Sequence, residues 1–381
     1  MMLQPHFSDP VKLKTKKIIF EDIFIARDSG TLEQLKELSS KRRIIEESIN
    51  ERSSITMAVA REMSGGSTLQ CEQDIQKLEK YLPLLENFIC QVHMVSDSPR
   101  MLQWTSKLRI SWSSALTSLS FFSFLGQKFF QIDSLLFELS MMLFLNGALL
   151  REWAFELLSK DMVQSTTLFR RAAGVYHHLA NEVLPSLQPA LPPERPPEVT
   201  SSVCSVLSLL CLAEAQAVII KKSEEKGNTQ SLLAKLHYGV VHMLDEAIVL
   251  LQSLTEDKKN ISVRFVEFLS FCKVMHELRN DMYRAESLKA NGQIGTAIGF
   301  LQQALVTAPM NLPGNESWRL VLNQEADKLA GLLQKYEHEN DFVWHDKVPT
   351  QLELPLPEGK RIVNFIPYHP QRWERAFSFK I

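Results

Sequence analysis

Residues 212–236 read LAEAQAVIIKKSEEKGNTQSLLAKL, which is the end of one apolar helix, a polar turn and the start of another. Gly227 is placed to end the first helix, because glycine enters the left-handed region without steric cost, and Thr229 is placed to cap the second with its hydroxyl. Two helices joined by so short a turn must run antiparallel. Ile219 lies eight residues before the glycine and Leu236 nine after it, so the two stand at similar height on the hairpin, and Leu232 and Leu236 share a helix face. Read from spacing alone, the three could form one apolar spot for a helical ligand, although such stripes more often face a core.

A helical period runs through most of the chain. Leu32, Leu35, Leu38, Ile45 and Ile49 form one stripe, and Leu69–Val95 a second with a kink expected at Pro83, where a backbone donor is missing. Helices are predicted over Met101–Phe122, Ile132–Leu158 and Val163–Leu187, and then over about 199–226, 229–255, 260–290, 293–308 and 315–339. The stretch from Gly292 through Leu301, Ala304 and Leu305 has the spacing of one tetratricopeptide-like helix, which suggests antiparallel pairs stacked side by side. Two segments break the period. Residues 11–26 alternate like one or two short strands, and 188–198, with five prolines, read as a stiff connector. From Phe342 the text is too proline-rich for a helix and too apolar for a free tail. It reads as an extended strap whose aromatic and aliphatic residues are covered by the helices.

Composition supports a helical, globular chain. Hydrophobic residues are 45% and charged residues 23%, and 14 glycines in 381 residues is well under the usual ~7%. With a formal net charge of −2 there is no overall field to attract nucleic acid or anionic lipid. The five cysteines, Cys71, Cys90, Cys204, Cys211 and Cys272, sit in apolar helical stretches without CxxC spacing and read as reduced thiols of a cytosolic protein. The N-terminus lacks the apolar core of a secretory signal, and the end lacks a prenylation cysteine. The apolar windows 116–125, 135–150 and 203–220 are too short or carry Glu138, Asn146 or Glu214, so buried helices are expected there rather than membrane spans.

No P-loop, GxGxxG, GxSxG or HExxH is present, and no set of Cys and His has zinc-ligand spacing. A binding protein without catalytic residues, metal, cofactor or small-molecule substrate is therefore expected. His237 and His242, five apart, do not share a helix face, and the pairs Glu46-Glu47, Glu224-Glu225 and Asp245-Glu246 read as solvated charge. The basic clusters at Lys12–Lys17, Lys41–Arg43 and Arg170-Arg171 are short. If co-facial, each residue could add about 1 kcal/mol toward an anionic membrane, a weak peripheral contact at most; no aromatic interleaving points to nucleic acid.

Three places in the chain resemble the ALIX-like Bro-one (BRO) domain family. Ile110-Ser-Trp112-Ser-Ser-Ala115 is similar to an aromatic-rich helix start in that family. Leu212-Ala-Glu-Ala-Gln216-Ala-Val218 followed by Leu232-Leu-Ala-Lys-Leu236 is similar to its "LAQAQ-x-V" and "I-I-A-K-L" at the same separation. Asn340-Asp341-Phe342-Val343-Trp344 through Val348-Pro349 is similar to its "NDFIY-x-x-x-VP". The likeness is good over about 100–355 and faint before that. The coiled-coil arm and proline-rich tail of larger relatives have no counterpart here, so the chain reads as a stand-alone domain.

The resemblance implies a mainly α, boomerang-shaped helical domain over 1–355, with a small β element at about 11–26, a helical body at about 31–340, and an extended strap at 356–381 packed on that body. It implies a non-enzymatic adaptor of the ESCRT pathway that binds the C-terminal amphipathic helix of an ESCRT-III subunit, acting in endosomal or multivesicular-body sorting or in membrane scission. Such a protein is cytoplasmic and recruited to endosomes. The family's concave apolar patch aligns with Ile219, Leu232 and Leu236. The first is β-branched where relatives often carry an aromatic. The competing expectation is a helical scaffold that kept the fold but binds a different protein partner.

Overall fold

A computed structural model describes residues 6–54, 68–117, 128–254, 260–307, 314–350, 354, 356–371 and 373–381, which divide into two compact units. One unit comprises residues 8–208 with 254–262 and 365–381. Its helices are α1 (Ser29–Ser54), α2 (Thr68–Met94), α3 (Pro99–Thr105), α4 (Leu135–Leu157) and α5 (Met162–His178). After α5 the chain continues through a π turn, Leu179–Val183, and a last turn, Leu184–Leu187. Helix α4, LLFELSMMLFLNGALLREWAFEL, is apolar all round and buried along nearly its whole length, with α2 and α5 packed against it. Helix α2 continues through Pro83 without a break.

The predicted helix over 101–122 is corrected. It ends at Thr105, and Ile110–Ser113 forms strand β1, paired antiparallel with β2 (Phe129–Ile132) in the register Ile110↔Ile132. The rest of that predicted helix, from 118, lies outside the described residues. All four residues of β1 are buried, so the strand lacks the alternation that would have marked it in the sequence. What holds β1 is polar. Trp112 Nε1 donates to Glu138 Oε2 at 2.7 Å, and Glu138, fully buried, also faces Arg42 Nε at 3.1 Å. Arg42 in turn donates to Thr15 Oγ1 and to Glu46 at 2.9 Å, so the buried carboxylate and guanidinium satisfy each other.

Residues 11–26 make β contacts as isolated bridges rather than as a strand: Thr15 with Trp112 and Ala26 with Phe379. The proline-rich connector ends in a buried turn, Pro197–Val199, whose Glu198 carboxylate accepts from Ala115 N, Leu116 N and Ser114 Oγ.

The other unit holds the rest of α6 (Ser201–Glu225), then α7 (Gln230–Gln252), α8 (Val263–Ala290), α9 (Ile294–Thr307) and α10 (Glu316–Glu339). Helix α6 is long and apolar enough to cross a bilayer, yet 78% of its apolar window is buried inside the fold. Successive helices pack on each other, α7 on α8, α8 on α9 and α9 on α10. Their joints are locally encoded: Gly292 takes φ +75° where α8 ends, and Asn315 Oδ1 caps α10 by accepting from Ser317 N and Trp318 N.

The C-terminal segment crosses helices where they carry glycine. In the α6–α10 unit, a Cβ at Gly239 would meet Lys360 O at 2.2 Å, and one at Gly295 would meet Lys347 O at 2.3 Å. In the α1–α5 unit, a Cβ at Gly174 would meet Ile366 O at 1.8 Å. Two crossings share one device. Lys360 N donates to Lys235 O at 2.8 Å and Ile366 N to Arg170 O at 3.0 Å, each carbonyl lying four residues before its glycine.

The segment's side chains do not follow the expectation of general burial. Val363 and Phe379 are inside, the latter against Phe24, Phe88 and Trp104, but Phe342, Trp344, Leu356, Ile362 and Trp373 stay exposed. The strap expected from Phe342 starts later, since Phe342 and Trp344 belong to a π turn, Asn340–Trp344, that prolongs α10. Beyond it, main-chain hydrogen bonds hold an extended segment against helices, and only alternate side chains of such a segment can face inward.

Candidate functional site

The hairpin of α6 and α7 forms by the local chemistry its sequence carries. Gly227 takes φ +67°, Gly227 N donates to Glu224 O and Asn228 N to Ser223 O, the two bonds that close a helix in a left-handed glycine. Thr229 Oγ1 then accepts from Leu232 N at 3.4 Å to start α7. The arms run antiparallel: Gln216, eleven residues before the glycine, donates through Nε2 to Leu236 O, nine after it, at 2.7 Å.

The three predicted patch residues do not share one environment. Ile219 and Leu232 are half-buried, whereas Leu236 is only 2% exposed. Leu236, expected at the surface with the other two, lies in the core of the fold. Position along the hairpin decides this. Leu232 lies in the first turn of α7 beside the hairpin turn, and Leu236 lies one turn deeper, where its carbonyl accepts from Gln216 Nε2.

That segment reaches the same surface. The buried Gln216 side chain donates to Lys360 O at 3.0 Å and accepts from Ile362 N at 3.0 Å, so one amide ties α6, α7 and the segment together. Gly239, under Lys360, is seven residues after Leu232, two helical turns along the same face. Ile362, 42% exposed, is thus held beside the α6 turn that leads to Ile219. Sequence reasoning singles out Gln216 within a motif but misses its tie to Ile362, because nothing in the spacing of an extended segment says which helix it will cross. The flanking ion pairs, Lys235–Glu358 at 2.6 Å and Arg361–Glu246 at 2.8 Å, are solvent-exposed and so add little stability.

Beneath the hairpin lies a buried polar cluster. His237 Nδ1 stands 2.9 Å from His276 Nδ1, which requires one ring to donate and the other to accept. Glu224 is 3.7 Å from His237 Nε2 and accepts from the Tyr283 hydroxyl at 2.7 Å. Burial pushes both imidazoles below their ordinary pKa, His276 further than His237. Burial also pushes the Glu224 carboxyl up, but the neighbouring His237 ring and Tyr283 hydroxyl outweigh it and leave it below its usual range. Glu224 is thus engaged by His237 and Tyr283 although its side chain stays 31% exposed. Arg279 pairs with Glu325 at 3.2 Å, and Asn280 donates to the carbonyl of Ala234. The two histidines are buried, Glu224 and Tyr283 stand at the edge of the cluster, and together they join helices. Among the described residues no three His, Cys, Asp or Glu side chains come together to hold a metal. What the site offers outward is apolar side chains on a rigid frame, suited to another apolar surface rather than to bond chemistry.

A family model described as the BRO1-like domain matches residues 44–378. The chain belongs to that family. The match takes in the hairpin, the cluster beneath it and the crossings of the C-terminal segment. Among curated relatives, BRO1 domain-containing protein BROX from Homo sapiens is 25% identical over 328 residues, covering 79% of this chain and 75% of BROX. Programmed cell death 6-interacting protein from Xenopus laevis is 27% identical over 256 residues, but the chain spans only 28% of its length. Vacuolar protein-sorting protein BRO1 from Yarrowia lipolytica is 24% identical over 274 residues, 64% of this chain and 31% of that protein. Among solved structures, ALIX in complex with a SIVmac239 late-domain peptide superposes with a TM-score of 0.71, covering 96% of this chain and 49% of that one at 18% identity. An ALIX BRO1 CHMP4C complex gives 0.67 with 96% of both chains covered, also at 18% identity. The mainly helical BRO1 fold is thereby shown.

Proposed function

We propose that this chain is a non-enzymatic adaptor of the ESCRT pathway that binds the C-terminal amphipathic helix of an ESCRT-III subunit. Its contact surface is an apolar patch made of Ile219, Leu232 and Ile362. The observation that carries this reading is the half-open tip of the α6–α7 hairpin. There, two large apolar side chains remain partly in water on a frame fixed by the Gln216 amide, and the same amide holds the main chain of the exposed Ile362. Family membership and the existence of a structure of ALIX BRO1 with CHMP4C support the choice of partner. Such an adaptor works in the cytoplasm and is recruited to endosomes for sorting into multivesicular bodies or for membrane scission. Leu236 supports the patch from below.

The second reading, a helical scaffold with a different protein partner, is favoured by one observation, the burial of Leu236. Titration of the full chain with a labelled C-terminal peptide of CHMP4C separates the two. On the adaptor reading the peptide binds and Leu232→Asp weakens it at least about thirtyfold, since a charge in a patch that must be desolvated costs 2 kcal/mol or more. No binding by the folded wild-type chain sinks the adaptor reading and leaves the scaffold.

A further inference from the structure

The α1–α5 unit contains a second feature fitted for binding, independent of the patch. A groove of about 690 Å3 opens between α2, the turn after α3, the start of α4 and the π turn that follows α5. That volume suits a ligand of small-molecule or short-peptide size. Its floor is apolar, with Val92, Leu135, Leu139 and Val183 buried and Ile89 and Leu136 left half-exposed. Its walls carry three carboxylates, Glu86, Asp133 and Glu182, and among the described residues no lysine or arginine lines it. Of the lining histidines, burial holds His178 below its ordinary pKa. The groove therefore concentrates negative charge around an apolar trough.

Two further observations mark it as built for a ligand. Ser134 stands at the N-cap of α4 yet makes no side-chain capping bond, so its hydroxyl in the groove wall is open to another chain. The π turn Leu179–Val183 interrupts regular helical bonding, which is seldom retained without use, and it is this turn that brings Glu182 and Val183 to the groove.

We propose that this groove docks a short extended peptide in which apolar side chains adjoin a lysine or arginine. The apolar side chains cover Ile89 and Leu136, the cation meets Asp133 and Glu182, and the Ser134 hydroxyl meets the peptide main chain. A peptide with an acid in place of the base would bring like charges together next to a low-dielectric floor.

The groove carries its own reporter. Cys90 lines it and is half-exposed, while Cys71, Cys204, Cys211 and Cys272 are buried, so N-ethylmaleimide should alkylate Cys90 first. The probe is a fluorescein-labelled leucine–leucine–lysine–leucine–arginine peptide, compared with the same peptide carrying glutamate at both basic positions. The basic peptide should bind the full chain at least about tenfold more tightly than the acidic one and should slow Cys90 alkylation. Asp133→Asn combined with Glu182→Gln, both at exposed positions, should cut that preference below about threefold with an unchanged melting temperature. Equal affinity for the two peptides, no protection of Cys90, or a preference that survives the double substitution each overturns the proposal. Protection that needs no peptide but grows with protein concentration would make the occupant a second copy of the chain. Protection by phosphatidylcholine vesicles alone would make it lipid. Either result also overturns it.

Discussion

Gly239→Ala should destabilise this protein although it replaces glycine in the middle of a helix. The intrinsic effect runs the other way, since alanine is favoured over glycine in a helix by about 0.8–1.0 kcal/mol. At Gly239 the added Cβ would stand 2.2 Å from Lys360 O and 2.6 Å from Gln216 Nε2, so the C-terminal segment must lift. Lifting breaks Lys360 N to Lys235 O at 2.8 Å, Gln216 Nε2 to Lys360 O at 3.0 Å and Ile362 N to Gln216 Oε1 at 3.0 Å. At about 0.5–1.5 kcal/mol each, those three bonds are worth roughly 1.5–4.5 kcal/mol, and any exposure of Val363 adds to the loss. The net effect is a destabilisation of about 1–4 kcal/mol. Gly331 in α10 is the matched control, because nothing lies within 4 Å of a Cβ there, and Gly331→Ala should stabilise by about 1 kcal/mol. Urea unfolding followed by circular dichroism reads both signs, and amide exchange at Lys360 and Ile362 should quicken only in the first variant. If Gly239→Ala raises the midpoint as Gly331→Ala does, the segment is not held at this crossing and the argument for Ile362 collapses with it.

Leu236→Asp should prevent stable folding, because a carboxylate would replace a side chain 2% exposed; recovery of a folded, cooperatively melting variant would return Leu236 to the surface. Glu138→Ala leaves the buried Arg42 guanidinium with only Glu46 as carboxylate partner and Trp112 Nε1 without its acceptor, and should cost about 3–5 kcal/mol in chemical denaturation, whereas a loss under 1 kcal/mol would mean the pair is not desolvated. Acidification should weaken the fold through His237 and His276. Their pKa values lie below the ordinary 6.5 in the fold, so the unfolded chain binds more protons below that pH, and the stability present above it is lost as pH falls. Burial pushes Asp281 up to about 7, which contributes in the opposite direction, stability that is lost as pH rises toward 7. The histidine effect is therefore read as a difference: between pH 7 and 5, His276→Gln should lose less stability than wild type, and parallel curves would refute a neutral buried pair.

Much of the architecture was legible because local chemistry encodes it. Gly227 and Thr229 act through their own backbone, so the hairpin could be placed from a few residues, and the helices from 199 to 339 carry a period that tertiary contacts reinforce. Strand β1 was read as helix because it is buried on both faces and shows no alternation, and its true anchor, Trp112 to Glu138, joins residues 26 apart. Leu236 shows a different limit. A four-residue spacing puts Leu232 and Leu236 on one face, but it does not say that Leu236 is buried while Leu232 stays half-buried, which only the packing of the folded chain decides. The glycines at the crossings look like defects in helix propensity until the segment they admit is seen. His276 was likewise invisible as the partner of His237, since 39 residues and a helix reversal separate them.

The most direct test of the account is the affinity of the full chain for a CHMP4C C-terminal peptide, measured by calorimetry for wild type and three aspartate variants. Leu232→Asp and Ile362→Asp alter the patch, while Val249→Asp alters a residue 61% exposed on the same helix, seventeen residues or about 25 Å from Leu232. The predicted result is binding by wild type and by Val249→Asp within about threefold of each other, and losses of at least about thirtyfold for both patch variants at unchanged melting temperature. Equal affinities across all four proteins would contradict the patch, and a folded wild-type chain that does not bind the peptide would contradict the adaptor.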